Sequence, residues 1–252
     1  MLSLTNLSAS YDGSRILRDV SLLVERGKVT CLMGRNGVGK TTTLKCIMGL
    51  LSPDAGSVSL GGKELSTLKP EERAREGLGY IPQGREIFPS LTVLENLQIG
   101  AVAQGRKLHS ELDRIYELFP VLKDMTKRKG GVLSGGQQQQ LAIGRALVTH
   151  PKVLLLDEPT EGIQPNIIDQ IGETIKRLSK HGLEADPSAR EISHAIKEIR
   201  SEGSIGILLV EQYLDFCLDV GDSFCIMDRG SLVASGPIAD LSDSLIKEHL
   251  AV

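Results

Sequence analysis

The chain has 252 residues, 40% of them apolar, and a formal net charge of −3. That length suits one large α/β domain or one domain with a smaller appendage, and the apolar fraction is ample for a sizeable core. Aromatics are scarce at 3%, Trp is absent and the charge is slightly acidic, which argues against a stacking platform for single strands and against general nucleic-acid binding. Cys31, Cys46, Cys217 and Cys225 form no Cys-x-x-Cys pair and read as buried, reduced thiols. The start MLSLTNLSASYDGS reads as carrying no secretory leader, and no apolar run approaches the ~20 residues of a membrane helix. Work at a membrane would go through a partner.

Short apolar strands alternate with helical stretches along the chain. LSLTNL (2–7) and VSLLV (20–24) are predicted strands. VTCLM (29–33) is an unbroken apolar run that stops at Gly34, and TTLKCIMGLL (42–51) has helical character. GSVSLGGKEL (56–65) predicts a hairpin turning at Gly61-Gly62, and LGYIP (78–82) another short strand. From about 90 to 150 the texture turns helical. Thr92 and Glu95 form a capping box ahead of VLENLQIGA. Leu112, Ile115, Tyr116 and Phe119 share one helical face. VLLLD (153–157) has the pattern of a buried strand, and Ile167, Ile168, Ile171, Ile175 and Leu178 line a helix. IGILLV (205–210) and FCIMD (224–228) are further strands, the latter paired with GSLVASG (230–236). Unbroken apolar strands separated by helices predict a mainly parallel sheet covered on both faces. The expected fold is α/β in a single domain, with a core at about 1–89 and 151–252 and an inserted helical subdomain at about 90–150.

Gly34, Gly39, Lys40 and Thr41 fit the pattern G-x-x-x-x-G-K-[ST], between strand 29–33 and the helix that follows. Glycines let backbone N–H groups curl around an anion, with Asn36, Gly37, Val38 and Thr42 completing the cradle. Lys40 supplies charge for β and γ phosphates, and the helix N-terminus adds its dipole. Thr41 offers a hydroxyl to Mg²⁺. The partner motif is VLLLDEP (153–159). Asp157 would hold Mg²⁺ at the C-terminal end of its strand, and Glu158 would orient or deprotonate an attacking water.

A second glycine stretch, LSGGQQQQ (133–140), heads a helix. Ser134 and the N–H groups of Gly135 and Gly136 make another anion nest. The glutamine run is short and leads into an amphipathic helix, so it does not read as a disordered tract.

With these motifs in this order, the chain resembles the ATP-binding subunits of ABC transporters over nearly its whole length. LSGGQ, ending in Gln137, matches that family's signature motif. Gln83 in YIPQGREIF matches the loop that touches Mg²⁺ and the membrane subunit, and Tyr11 in SASYDGS matches the aromatic that stacks on adenine. The resemblance implies a P-loop NTPase core with an N-terminal antiparallel β subdomain and an inserted helical subdomain. It implies ATP and Mg²⁺ as cofactors. It also implies a second ATP-binding subunit, either an identical chain or the companion that the resemblance favours, packed head to tail so that Ser134 closes over the other chain's γ-phosphate. Transmembrane permease subunits, an indirect link to a solute-binding protein and a peripheral seat on the cytoplasmic face of the membrane complete the picture; nucleic acid does not enter it.

Two positions depart from the family pattern. EGIQ (161–164) puts Gln164 where Asp is usual, and Gln212 stands at the switch position usually held by His. A glutamine can donate a hydrogen bond to the γ-phosphate but cannot titrate near neutral pH, so Glu158 carries more of the catalytic burden. GREIFPSLTVLENL, DEPTEGIQP and LLVEQ resemble importers of branched-chain amino acids and related small polar solutes. GRNGVGKTT, IPQGREIFPSLTV and VEQYLDF are most similar to the ATPase subunit of urea-type importers. The stretch 181–203 exceeds the family pattern: Asp186-Pro187 reads as a helix start and Ile192, Ile196 and Ile199 as a stripe, an expected surface extension. His181 and His194 are too isolated to argue for metal. The competing readings are a soluble ABC-type ATPase, which would need a coiled-coil insertion or a second ATPase domain, and a P-loop kinase or GTPase, which LSGGQ and Gln83 oppose.

Overall fold

The computed structural model describes residues 1–103, 105, 109–181 and 204–250. Strands β1 (Leu2–Tyr11) and β2 (Ser14–Val24) form one long antiparallel hairpin. Its turn is Asp12-Gly13, with φ of 46° and 81°, the two positive values of a two-residue type I′ connection. The predicted strands 2–7 and 20–24 are therefore the far ends of this hairpin. On its other edge β1 pairs with β4 (Ala55–Leu60), which turns through Gly61-Gly62 into β5 (Lys63–Glu64) as expected. The order of this antiparallel sheet is β2-β1-β4-β5.

The second sheet has the order β10-β9-β3-β8-β7-β6. Strands β3 (Val29–Met33), β6 (Leu78–Ile81), β7 (Val153–Asp157), β8 (Gly206–Val210) and β9 (Ser223–Asp228) run parallel, and β10 (Ser231–Pro237) returns antiparallel. Every residue of β3, β7 and β8 is buried, which is why these strands read as unbroken apolar runs. Their alternate side chains feed two separate cores. Val29, Cys31, Met33, Leu154, Leu156, Ile207 and Leu209 face one, and Leu32, Val153, Leu155, Leu208 and Val210 face the other together with the hairpin sheet. Val210 lies opposite both Leu32 and Asp157. The C-terminal ends of three central strands thus reach one level, where the loops that follow them converge.

Helix α1 (Lys40–Met48) is shorter than its apolar pattern predicts. It stops at Gly49, in the left-handed conformation (φ 75°), rather than running to residue 51. The sequence reading also missed α2 (Pro70–Glu76). Arg73 of α2 is 2% exposed and donates to the carbonyls of Cys46 and Ile47 (both 2.8 Å), Ser66 (2.9 Å) and Leu68 (3.0 Å). It thereby satisfies carbonyls at the end of α1 that have no partner inside the helix.

Between β6 and β7 lie α3 (Val93–Ala103), α4 (His109–Leu118), α5 (Pro120–Asp124) and α6 (Gly135–Leu147). The Thr92/Glu95 capping box is present, at 2.8 and 3.2 Å. Ile115 and Phe119 are buried in the same core as Leu97, Leu122 and Leu141. Helix α7 (Pro165–His181) buries Ile171, Ile175 and Leu178, and α8 (Leu214–Val220) packs against it. The expected helical stretch over 182–203 lies outside the described residues.

Candidate nucleotide site

The glycine-rich loop leaves β3 at Met33. At Gly34 a Cβ would stand 2.3 Å from the Met227 carbonyl oxygen, so no other residue fits there without a shift. Gly39 caps α1 with a φ of 114°, and no described side chain closes that helix end. The result is an open ring of backbone ending on a helix N-terminus, which favours an anion. Lys40, 5% exposed, folds back onto the carbonyls of Gly34 (2.7 Å) and Arg35 (3.0 Å). Burial lowers its pKa, and the carboxylates of Glu158, Asp157 and Glu211 oppose that shift. A phosphate at hydrogen-bond distance would bring negative charge nearer to this buried ammonium than the Glu158 carboxylate, which is 3.9 Å away.

Asp157 ends β7 and is 1% exposed. Its Oδ1 accepts a hydrogen bond from the Thr41 hydroxyl at 3.2 Å. Its Oδ2 is buried with no hydrogen-bond partner among the described residues. Burial pushes the Asp157 carboxyl up to about 6, against the Thr41 bond and with help from Glu158. A buried carboxylate with one unused oxygen, next to a hydroxyl and an anion cradle, fits a small hard cation such as Mg²⁺, which binds through one or two carboxylates plus phosphates.

Glu158 follows with a φ of 47°, an unusual conformation for a residue with a side chain, held by its N–H to the Val210 carbonyl at 2.9 Å. This turns its carboxylate toward Lys40, 3.9 Å away. Each of its oxygens receives a glutamine amide. Gln212 Nε2 donates to Oε1 at 2.6 Å and Gln83 Nε2 to Oε2 at 3.3 Å. Gln212 also donates to Asn36 Oδ1 at 2.6 Å, and Gln83 to Glu161 Oε2 at 3.0 Å. Asn36, Lys40, Thr41, Gln83, Asp157, Glu158 and Gln212, drawn from four separate stretches of sequence, therefore meet in one place. A family profile described as ABC transporter matches residues 17–161. The chain belongs to the ABC transporter family.

Its relatives include the high-affinity branched-chain amino acid transport ATP-binding protein BraG of Pseudomonas aeruginosa, 36% identical over 234 residues, or 92% of this chain and 91% of BraG. The lipopolysaccharide export system ATP-binding protein LptB of Haemophilus influenzae is 33% identical over 254 residues, covering 98% and 95%. Among solved structures, the ADP conformation of MJ1267, an ATP-binding cassette of an ABC transporter, matches with a TM-score of 0.78 at 28% identity, covering 98% and 97%. The chain is an ABC transporter ATP-binding subunit, and it binds and hydrolyses ATP.

In this ABC ATPase, Tyr11 is 40% exposed at the end of β1, on the hairpin whose Leu17 packs against Gly39. Ser134 is exposed at the start of α6. Its hydroxyl accepts from Gln137 N at 3.3 Å while its own N–H donates to Gln137 Oε1 at 2.9 Å, a reciprocal cap that satisfies two free donors. The first turn of α6, with Gly135 and Gly136, follows directly. The other glutamines of the run have separate tasks. Gln138 bonds the Leu133 carbonyl at 3.1 Å, and Gln140 bonds Gln170 at 3.2 Å.

Glu211 escaped the sequence reading. It is 3% exposed and accepts from Thr160 N (3.0 Å), Gln212 N (2.8 Å) and Tyr213 N (3.1 Å). One carboxylate thus joins the loop after Glu158 to the loop carrying Gln212. Its signal was a charged residue set directly behind a fully buried strand, where a charge persists only if it is hydrogen-bonded.

Proposed function

We propose that this chain powers an importer of a small polar solute, of the urea type, by hydrolysing ATP at a site it completes with a second ATP-binding subunit. The observation that carries this reading is the meeting of Lys40, Asp157 and Glu158 with two glutamine amides at the level where β3, β7 and β8 end. The importer assignment is supported by the likeness to BraG and LivF and by GREIFPSLTVLENL, DEPTEGIQP and LLVEQ. The urea assignment rests on VEQYLDF and its companion stretches; a branched-chain amino acid is the alternative cargo.

In this mechanism the loop 34–42 and Lys40 grip the β and γ phosphates, and Tyr11 stacks on the adenine. Thr41, Asp157 and Gln83 would hold Mg²⁺, which would supply positive charge against the charge developing on the transferred phosphoryl group. Glu158 takes the proton of the attacking water as Gln83 and Gln212 release its oxygens. Gln212 then donates to the γ-phosphate. Ser134, Gly135, Gly136 and Gln137 of one subunit close over the nucleotide held by the other, so ATP joins two chains and hydrolysis lets them part.

The permease would dock from outside on an apolar groove of about 770 Å³ between α2, β6, α3 and α6. Leu50, Phe88 and Ile99 border it, 57%, 42% and 38% exposed, a concentration of uncovered apolar surface that marks an interaction face. No helix among the described residues is long and apolar enough to cross a membrane, so the chain would sit at the cytoplasmic face through these partners, with a solute-binding protein acting on the far side.

Replacing Glu158 tests the reading. Glu158→Gln should still bind ATP and form a stable ATP-dependent dimer while turnover falls at least ~100-fold. Hydrolysis at the normal rate would remove Glu158 from the base's role. Uptake of labelled urea against labelled leucine, in cells with and without the chain, separates the two cargoes.

A further inference from the structure

The loop that follows β6, residues 82–89, is bound on both sides. On one side Gln83 bonds Glu158 and Glu161, and Arg85 Nη2 donates to the Glu161 carbonyl at 2.6 Å. On the other side Arg145 of α6 donates to the Glu86 carbonyl at 2.8 Å and stacks over the Phe88 ring at 5.0 Å. Asn96 of α3 closes the loop's end, accepting from Phe88 N at 2.9 Å and donating to the Phe88 carbonyl at 3.0 Å. Between these anchors Arg85 and Glu86 both hold positive φ, 71° and 44°, a conformation that persists in non-glycine residues only where surroundings enforce it.

The Arg85 guanidinium sits where three loops touch. A Cβ on Gly135 would lie 3.2 Å from the Gly162 carbonyl oxygen and 3.4 Å from both terminal nitrogens of Arg85. A Cβ on Gly162 would lie 3.7 Å from Arg85 Nη2. One side chain therefore contacts the loop behind Glu158 and the first turn of α6, next to Ser134. In the sandwich proposed above, on which this inference rests, Glu158 acts on the chain's own nucleotide and Ser134 on its neighbour's. We propose that Arg85 is a positioning residue that sets the spacing between these two half-sites, so that the Ser134 loop faces the partner only when the loop behind Glu158 is in place. A planar guanidinium can bond one loop with one nitrogen and lie along another loop with its edge, whereas an ammonium is a single point.

The test is ATP-driven dimerisation, measured by light scattering in the Glu158→Gln background, beside binding of a fluorescent ATP analogue to the monomer. Adding Arg85→Ala should weaken the dimer about tenfold, while analogue affinity and Tm stay near those of the parent. Arg85→Lys should recover less than half of the loss, and it carries the test alone if the alanine variant does not fold. A dimer as tight as the parent's overturns the proposal, as does full rescue by lysine. An equal loss in analogue affinity also overturns it, because Arg85 would then be an ordinary nucleotide ligand. If Glu158→Gln itself stays monomeric with ATP, the sandwich of two identical chains fails, and the role of Arg85 within it fails by a separate, recognisable result.

Discussion

Asp157 and Lys40 are both buried at the expense of their charged forms. For Asp157 the folded pKa of about 6 lies above the ordinary 3.8. Between those values the folded state binds more protons than the unfolded one, so stability falls as pH rises through this window. A shift of that size corresponds to ~3 kcal/mol at neutral pH, as an upper figure. Asp157→Asn should therefore raise the Tm of the nucleotide-free protein at pH 7 and flatten its decline between pH 4 and 6, while removing Mg²⁺-dependent hydrolysis. Thermal melts across that pH range, with an ATPase assay on the same samples, check both halves. A variant that melts lower at pH 7 would show that the Thr41–Asp157 bond outweighs the burial of the charge. This carboxylate, with Lys40 and Glu158, was legible in the sequence because each lies inside a short local pattern. Glu211 and Arg85 were not. Their bonds run to Thr160 and to Glu161, 51 and 76 residues away; the buried strand ahead of Glu211 signals that it must be bonded, but no local pattern names either partner.

Elements were legible where burial is uniform. The strands 29–33, 153–157 and 206–210 bury every side chain, so an unbroken apolar run identifies them. The β1–β2 hairpin is different. Its register shifts between Leu4 and Leu7 and again before Ala9, and Asn6 and Asp19 take positive φ. Such bulges break the two-residue period by which a half-buried strand is recognised, which is why only its far ends were read. Helix α2 has seven residues, and its one buried anchor is an arginine, a residue type that hydrophobic patterning assigns to the surface. That anchor makes a prediction. Arg73→Ala removes the donor shared by the carbonyls of Cys46, Ile47, Ser66 and Leu68, of which Cys46 keeps the Gly49 N–H at 3.1 Å, and this should cost on the order of 3 kcal/mol. In a chain of this length that is a fall of roughly 6–12 °C in Tm. The KM for ATP should change little, since Arg73 grips the far end of α1 from Lys40. A large rise in KM with an unchanged Tm would show that α1 itself is displaced.

At the scale of the whole molecule, one sheet separates two cores. The antiparallel sheet and α1 lie over one face and α3 to α8 over the other. The helices α3 and α6 grip the loop 82–89 through Asn96 and Arg145, and that same loop touches Glu158. The nucleotide site is thus the joint between the layers, and it concentrates charges that favour a ligand over an empty fold. Mg²⁺–ATP should stabilise the Glu158→Gln chain by ~2.7 kcal/mol at a hundred times its Kd, which corresponds to roughly 5–10 °C. Melts with Mg²⁺–ATP, and with ATP plus a chelator, would read this. Equal shifts in both would mean that Asp157 contributes nothing to holding a cation.

In this fold each oxygen of Glu158 accepts a carboxamide N–H, so a water can bond to that carboxylate only beside or in place of Gln83 or Gln212. With Glu158 in the role proposed above, such an arrangement would idle the motor, restraining wasteful burning of fuel by a lone subunit until something swings Gln83 and Gln212 aside. Because neither amide gains or loses a proton in the physiological range, this restraint is deaf to acidification of the surroundings, unlike one built around an imidazole.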